Sequence, residues 1–236
     1  MRLAGAGVAI ACLYMYASLI NDIYDVPVDL ISNPRRPIAA SLMTRSEATR
    51  AAWFFAVLTF ALAFAVGTGT RYLVPLGLLL AWSYSSPPLR LRRFICSSLV
   101  VGIGSLLAFL IGYTALDFSP AWTLPLSIKL VAVVILVVFS IGQMVRDLKD
   151  YLGDKAAGIK TVFTVYGRER GKKIMTGLLA LCFLAPLVIL HSGLDVLVFL
   201  MTGAAAVYLF ILREAADRVI LLSSFVSLYT VVRLVG

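Results

Sequence analysis

With 61% hydrophobic and 14% charged residues in 236 positions, and a mean hydropathy of +0.97, this chain falls outside the range of soluble domains, where about one-quarter of residues are charged. It reads as an integral membrane protein. Its net charge of +9 does not point to nucleic acid, because the basic residues collect in the connections between apolar runs, where they mark topology and favour anionic headgroups and phosphorylated substrates.

Eight apolar runs follow one another, at about 3–21, 48–67, 71–84, 94–115, 122–145, 173–191, 194–212 and 218–235. Most are near the ~20 residues that a helix needs to cross a bilayer. The run at 71–84 is the shortest. The expected fold is therefore all-α, a polytopic membrane helix bundle of about eight spans forming one membrane-embedded domain over 1–236. The first run leads straight into a charged motif without a cleavage site, so it is expected to be a span and not a signal peptide.

The first run ends in NDIYDVPVD, with Asp22, Asp25 and Asp29 spaced D-x2-D-x3-D. Asn21, Asp25 and Asp29 stand at i, i+4 and i+8 and would share a helical face. Pro27 removes a backbone donor, which places Asp29 on a kink or in the first turn of a new segment. The stretch SNPRRPI follows with Arg35 and Arg36, and the third run ends at Tyr84 before SSPPLRLRR with Arg90, Arg92 and Arg93. The fifth run leads into RDLKDYLGD, where Asp147, Asp150 and Asp154 repeat the first spacing at an offset of 125 residues. They lie at i, i+3 and i+7, again one helical face, and Gly153 is expected to loosen the backbone ahead of Asp154. The recurrence of helix, acidic motif, basic loop and helix points to an internal repeat.

Six carboxylates at the mouth of a helix bundle repel one another unless cations lie between them. Mg²⁺ is the expected cation, since aspartate oxygens suit it and it characteristically binds together with phosphate. Arginine forks and lysine point charges suit the phosphate, so Arg35, Arg36, Arg90, Arg92, Arg93, Lys149, Lys155 and Lys160 are candidates for the diphosphate site. Tyr84 is a candidate through its hydroxyl. Arg45, Arg50, Arg168, Arg170, Lys172 and Lys173 read as topology determinants.

Of 21 Lys and Arg, 17 fall in the connections around 21–50, 85–93, 146–173 and 213–218, leaving Arg2, Arg71, Lys129 and Arg233 elsewhere. The positive-inside rule then turns both aspartate motifs to the cytoplasm, at the cell membrane if the source is prokaryotic. Cys12, Cys96 and Cys182 are scattered singly and read as small buried hydrophobes. His191 reads as an interfacial or capping residue. A transporter with repeated acidic cation sites is a rival reading, but it predicts carboxylates near the bilayer midplane, not at span ends.

NDIYDVPVDLISNPRRPIAAS resembles the N-D-x-x-D-x-x-x-D motif and downstream N-P-x-R-P-I of the UbiA-type intramembrane prenyltransferases. RDLKDYLGDKAAGIKT resembles their second aspartate motif, and YSSPPLRLRR the loop between. The resemblance runs from residue 1 to about 170. It implies Mg²⁺-dependent transfer of a prenyl group from an isoprenyl diphosphate to an aromatic or lipid acceptor, of quinone or ether-lipid type, through ionisation of the allylic diphosphate. It implies a first metal set of Asn21, Asp25 and Asp29 with Asp22 adjacent, and a second of Asp150 and Asp154 with Asp147 close by. Arg36 matches the arginine of N-P-x-R-P, and Arg92 or Arg93 the basic pair after the tyrosine. Family members have nine spans, with one more before the first motif, so the expectation here is the nine-helix fold lacking its first helix. A non-catalytic family remnant is the corresponding alternative.

Overall fold

A computed structural model describes residues 1–116 and 124–235. All regular structure among them is helical: α1 (Arg2–Tyr24), α2 (Val26–Ser32), α3 (Arg45–Val66), α4 (Thr68–Ser85), α5 (Ser97–Leu116), α6 (Leu126–Ala156), α7 (Val162–Tyr166), α8 (Arg168–Leu184), α9 (Gly193–Arg213) and α10 (Ala216–Val235). Short 3₁₀ turns lie at Leu91–Arg93 and Ala185–Val188. The molecule is a membrane helix bundle.

Each of the eight apolar runs coincides with one of the longer helices. The expected start of the fifth, at 122 and 123, lies outside the described residues. Among the described residues, six helices are long and apolar enough to cross a bilayer: α1, α3, α5, α6, α8 with its 3₁₀ extension, and α9. In α4, Arg71 and Pro75 interrupt the apolar run, and Arg71 turns back to donate to the Phe64 carbonyl at 3.2 Å. In α10, Asp217 and Arg218 open the helix and Arg233 lies in its last turn.

The chain divides into two compact units, Met1–Arg93 with Ile103–Leu124, and Phe94–Gly102 with Pro125–Gly236. In the first, α1 packs along α3. The buried face of α3 carries Ala48, Ala52, Ala56, Thr59 and Ala63. Small side chains three and four residues apart let helices approach closely where lipid, not water, is the competing solvent. Ala6, Leu13 and Tyr16 of α1 fill that face, joined by Val74, Ile111 and Ala115. Thr44 and Glu47 close a capping box that starts α3.

In the second unit the core is built from Val145, Leu148, Phe163, Met175, Leu179, Phe183, Phe199, Phe210 and Val219, among others. Gly203 is required by close approach, since a Cβ there would lie 2.9 Å from the Phe183 Cβ. Asp195 joins α9 to α10. It accepts from Tyr229 Oη at 2.6 Å and from Arg233 Nε and Nη2 at 2.8 and 3.0 Å, while also capping α9 with Ser192. Ser192, not His191, is thus the cap. All three cysteines are free. Cys12 is buried as expected, Cys182 is half-buried and Cys96 is exposed.

Candidate active site

The first aspartate motif forms where α1 stops. Pro27 has no N–H to continue the α1 ladder, so α1 ends at Tyr24 and Asp25 becomes the junction, its N–H donating to Asn21 O at 2.9 Å. The Asp25 carbonyl then accepts from the N–H groups of Val28 and Asp29, at 2.9 and 2.8 Å, and starts α2 with Pro27 in its first turn. Asp29 therefore sits in the first turn of a new helix, as Pro27 led us to expect.

This break buries two carboxylates. Asp25 is 0% and Asp29 3% exposed. Asp25 is held against Arg92, with Arg90 Nη2 at 4.0 Å from its other oxygen. Neither Asp25 oxygen accepts a hydrogen bond among the described residues. Arg36 contacts Asp22 and brings its Nε to 3.7 Å from Asp29 Oδ1, which also accepts from Asn33 Nδ2 at 3.3 Å. Asn21 Oδ1 accepts from Ser85 Oγ at 3.4 Å, tying the motif to the end of α4. Tyr84 is half-buried one residue earlier, and Arg35 and Arg93 are exposed.

Arg90 is tied to the end of α1. Its φ is +40°, a left-handed conformation that an arginine adopts only when its surroundings impose it. Its Nη2 donates to the Tyr24 carbonyl at 3.1 Å, one of the orphan carbonyls at the C-terminus of α1. Its Nε is buried without an acceptor among the described residues. Burial, and then the charge of Arg93, lowers its pKa below the ordinary arginine value. The only prior sign of it was membership of a basic cluster.

The second motif is arranged differently. α6 continues unbroken through Asp147, Asp150 and Asp154 to Ala156, so Gly153 does not loosen the helix there. The chain turns instead at Gly158, φ +67°, after Ala157 N–H donates to Gly153 O. Asp147 and Asp154 are buried and Asp150 is half-buried. Asp147 accepts from Gln143 Nε2 at 3.3 Å. Lys149 Nζ is directed to Asp217 of α10 at 2.8 Å, in an exposed ion pair. Lys160 is exposed beyond the turn. Lys172 and Arg168 clasp Glu214 at the end of α9; the Lys172 hydrogen bond, foremost, lowers the Glu214 pKa from its ordinary value.

Among the described residues, no three carboxylate, imidazole or thiol groups converge closely enough to hold a metal as they stand. The first-motif acids are turned onto arginines instead. Even so, the donor types fit a hard cation. Asn21, Asp22, Asp25 and Asp29 bring three carboxylates and one amide oxygen within nine residues of sequence, and Asp25 and Asp29 are buried.

The profile of the UbiA prenyltransferase family matches residues 2–219. The homogentisate phytyltransferase of Synechocystis sp. is 30% identical over 192 residues, covering 76% of this chain and 60% of the relative. The digeranylgeranylglyceryl phosphate synthase of Ignicoccus hospitalis is 30% identical over 210 residues, covering 85% of this chain and 66% of the relative. The chain thus spans about three-fifths of the length of these relatives. A UbiA homolog from Archaeoglobus fulgidus, solved with GPP and Mg²⁺ bound, superposes with a TM-score of 0.71 at 18% identity over 98% of this chain and 85% of that one, which establishes a common fold.

Proposed function

Since this chain belongs to the UbiA prenyltransferase family, we propose that it moves a prenyl group from an isoprenyl diphosphate to an aromatic or lipid acceptor. The observation that carries this reading is Asp25, a fully buried carboxylate held against the guanidinium of Arg92, with Arg90 Nη2 4.0 Å away, at a helix break. A buried carboxylate of this kind needs cationic partners, and guanidinium forks match a diphosphate.

In this reading Asn21, Asp22, Asp25 and Asp29 from one motif, and Asp147, Asp150 and Asp154 from the other, supply the oxygen ligands for Mg²⁺. When bound, Mg²⁺ supplies positive charge at the diphosphate oxygens and favours departure of the leaving group. Arg36 and Arg92 hold and orient that diphosphate and stabilise the charge it gains as the allylic C–O bond breaks and its electron pair passes to the leaving oxygen. Arg93 and Lys160, both exposed, add charge at the rim. Apolar helix faces keep water from the allylic cation until the acceptor attacks and loses a proton. The distribution of Lys and Arg supports a cytoplasmic position for both motifs. The phytyltransferase and ether-lipid relatives support homogentisate-like aromatics and glycerol-phosphate lipids as acceptor classes.

The test is release of diphosphate from geranylgeranyl diphosphate by membranes carrying this chain, with Mg²⁺ and an acceptor. Asp25→Ala and Asp150→Ala should each lower the rate by at least about a hundredfold, the scale of losing a main electrostatic contact. Unchanged rates would remove these residues from the site.

A further inference from the structure

We infer that Arg92 and Arg36 are exchangeable counterions, which pass from the first-motif carboxylates to the diphosphate and so make metal and diphosphate binding depend on each other. The inference rests on the metal–diphosphate reading of this site. It adds a regulation of that site which the identity of the ligands does not imply.

Asp25 is inaccessible and the side chain of Arg92 against it is 11% exposed. A divalent cation that takes an Asp25 oxygen must displace that guanidinium. A displaced guanidinium in a poorly hydrated place is costly unless another anion receives it. A diphosphate is such an anion, with oxygens spaced for the arginine fork. The metal alone therefore competes with a resident cation. The diphosphate alone meets arginines already engaged by carboxylates. Bound together, each removes the obstacle to the other. Arg36 repeats the arrangement at a more open position, in contact with Asp22 and near Asp29.

Arg90 has the complementary role of a fixed positioning residue. Its hydrogen bond to the Tyr24 carbonyl at 3.1 Å anchors it to the end of α1 while its charge stays 4.0 Å from Asp25. Asp25 thus keeps one cationic neighbour throughout the exchange. Two arginines two residues apart in one loop divide the work, one holding the helix end and one changing partners.

Coupling of this kind is reciprocal, and is typically between about 5-fold and 150-fold. The experiment measures Mn²⁺ binding by the EPR signal of free Mn²⁺, using the purified full chain in lipid nanodiscs. It is run with and without geranyl S-thiolodiphosphate, an unreactive diphosphate, and the Mn²⁺ complexed by the analogue in solution is subtracted. In the parent, the analogue should tighten Mn²⁺ binding about tenfold or more. Arg92→Gln and Arg36→Gln should bind Mn²⁺ alone about tenfold more tightly than the parent, and the analogue should tighten it less. A purely structural role would weaken both bindings. Arg36 is the more exposed of the two, so Arg36→Gln carries the test if Arg92→Gln does not elute monodisperse.

Unchanged or weaker Mn²⁺ binding in a monodisperse variant, in a parent that does bind Mn²⁺ with the analogue, overturns the exchange and leaves the reading of the site intact. No Mn²⁺ binding by the parent, even with the analogue, overturns both.

Discussion

Replacing Arg92 with Ala should destabilise the protein by about 3 kcal/mol, and adding Asp25→Asn to that variant should restore most of the loss. Removing one partner of a buried ion pair strands the other charge, at a typical cost of about 3–5 kcal/mol. Here the loss should lie at the lower end, because Arg90 remains 4.0 Å from Asp25. At an effective dielectric of about 20, charges at that distance still attract by about 4 kcal/mol before desolvation is counted. Asp25→Asn removes the stranded charge and leaves an amide beside the remaining arginine. The assay is thermal unfolding of purified parent, both single variants and the double variant in detergent, followed as a double-mutant cycle. A double variant less stable than Arg92→Ala, or an Arg92→Ala protein as stable as the parent, would refute the assignment of Arg92 as the main counterion of Asp25.

Gly203→Val should lower stability by about 1–3 kcal/mol, the usual cost of overpacking, since its Cβ would meet the Phe183 Cβ at 2.9 Å; thermal unfolding reports it. Glu214 has a folded-state pKa below its ordinary value. Its clasp therefore stabilises above the ordinary glutamate range, and that contribution is lost as pH falls through the depressed folded value. The parent should exceed Glu214→Gln in melting temperature at neutral pH by a small margin, under about 1 kcal/mol for so exposed a pair. The two should converge on acidification, and a margin that persists in acid would refute the ion-pair origin.

The break after Tyr24 was legible because proline acts locally: a missing N–H ends a ladder whatever surrounds it. Gly153 carried a weaker local signal. Glycine costs a helix only about 1 kcal/mol relative to alanine, and the packing of α6 outweighs that, so the helix runs on to Ala156 and the positive-φ residue is Gly158. The partners of the charged residues were not legible at all. Lys149 and its partner Asp217 are 68 residues apart. Asp195 and Arg233, which pin α9 to α10, are 38 residues apart. Arg90 reads in the sequence only as one of a basic cluster, because its left-handed backbone and its contact with the end of α1 have no signature in composition.

The central claim, transfer of a prenyl group through the aspartate and arginine site, is tested most directly by mass spectrometry of nanodiscs holding this chain. They would be incubated with Mg²⁺, geranylgeranyl diphosphate and either homogentisate or a glycerol-phosphate lipid. The account predicts a prenylated product from at least one acceptor, abolished by Asp25→Ala and by removal of Mg²⁺. Product that survives Asp25→Ala undiminished, or acceptors that remain unmodified with Mg²⁺ and donor bound, would contradict it.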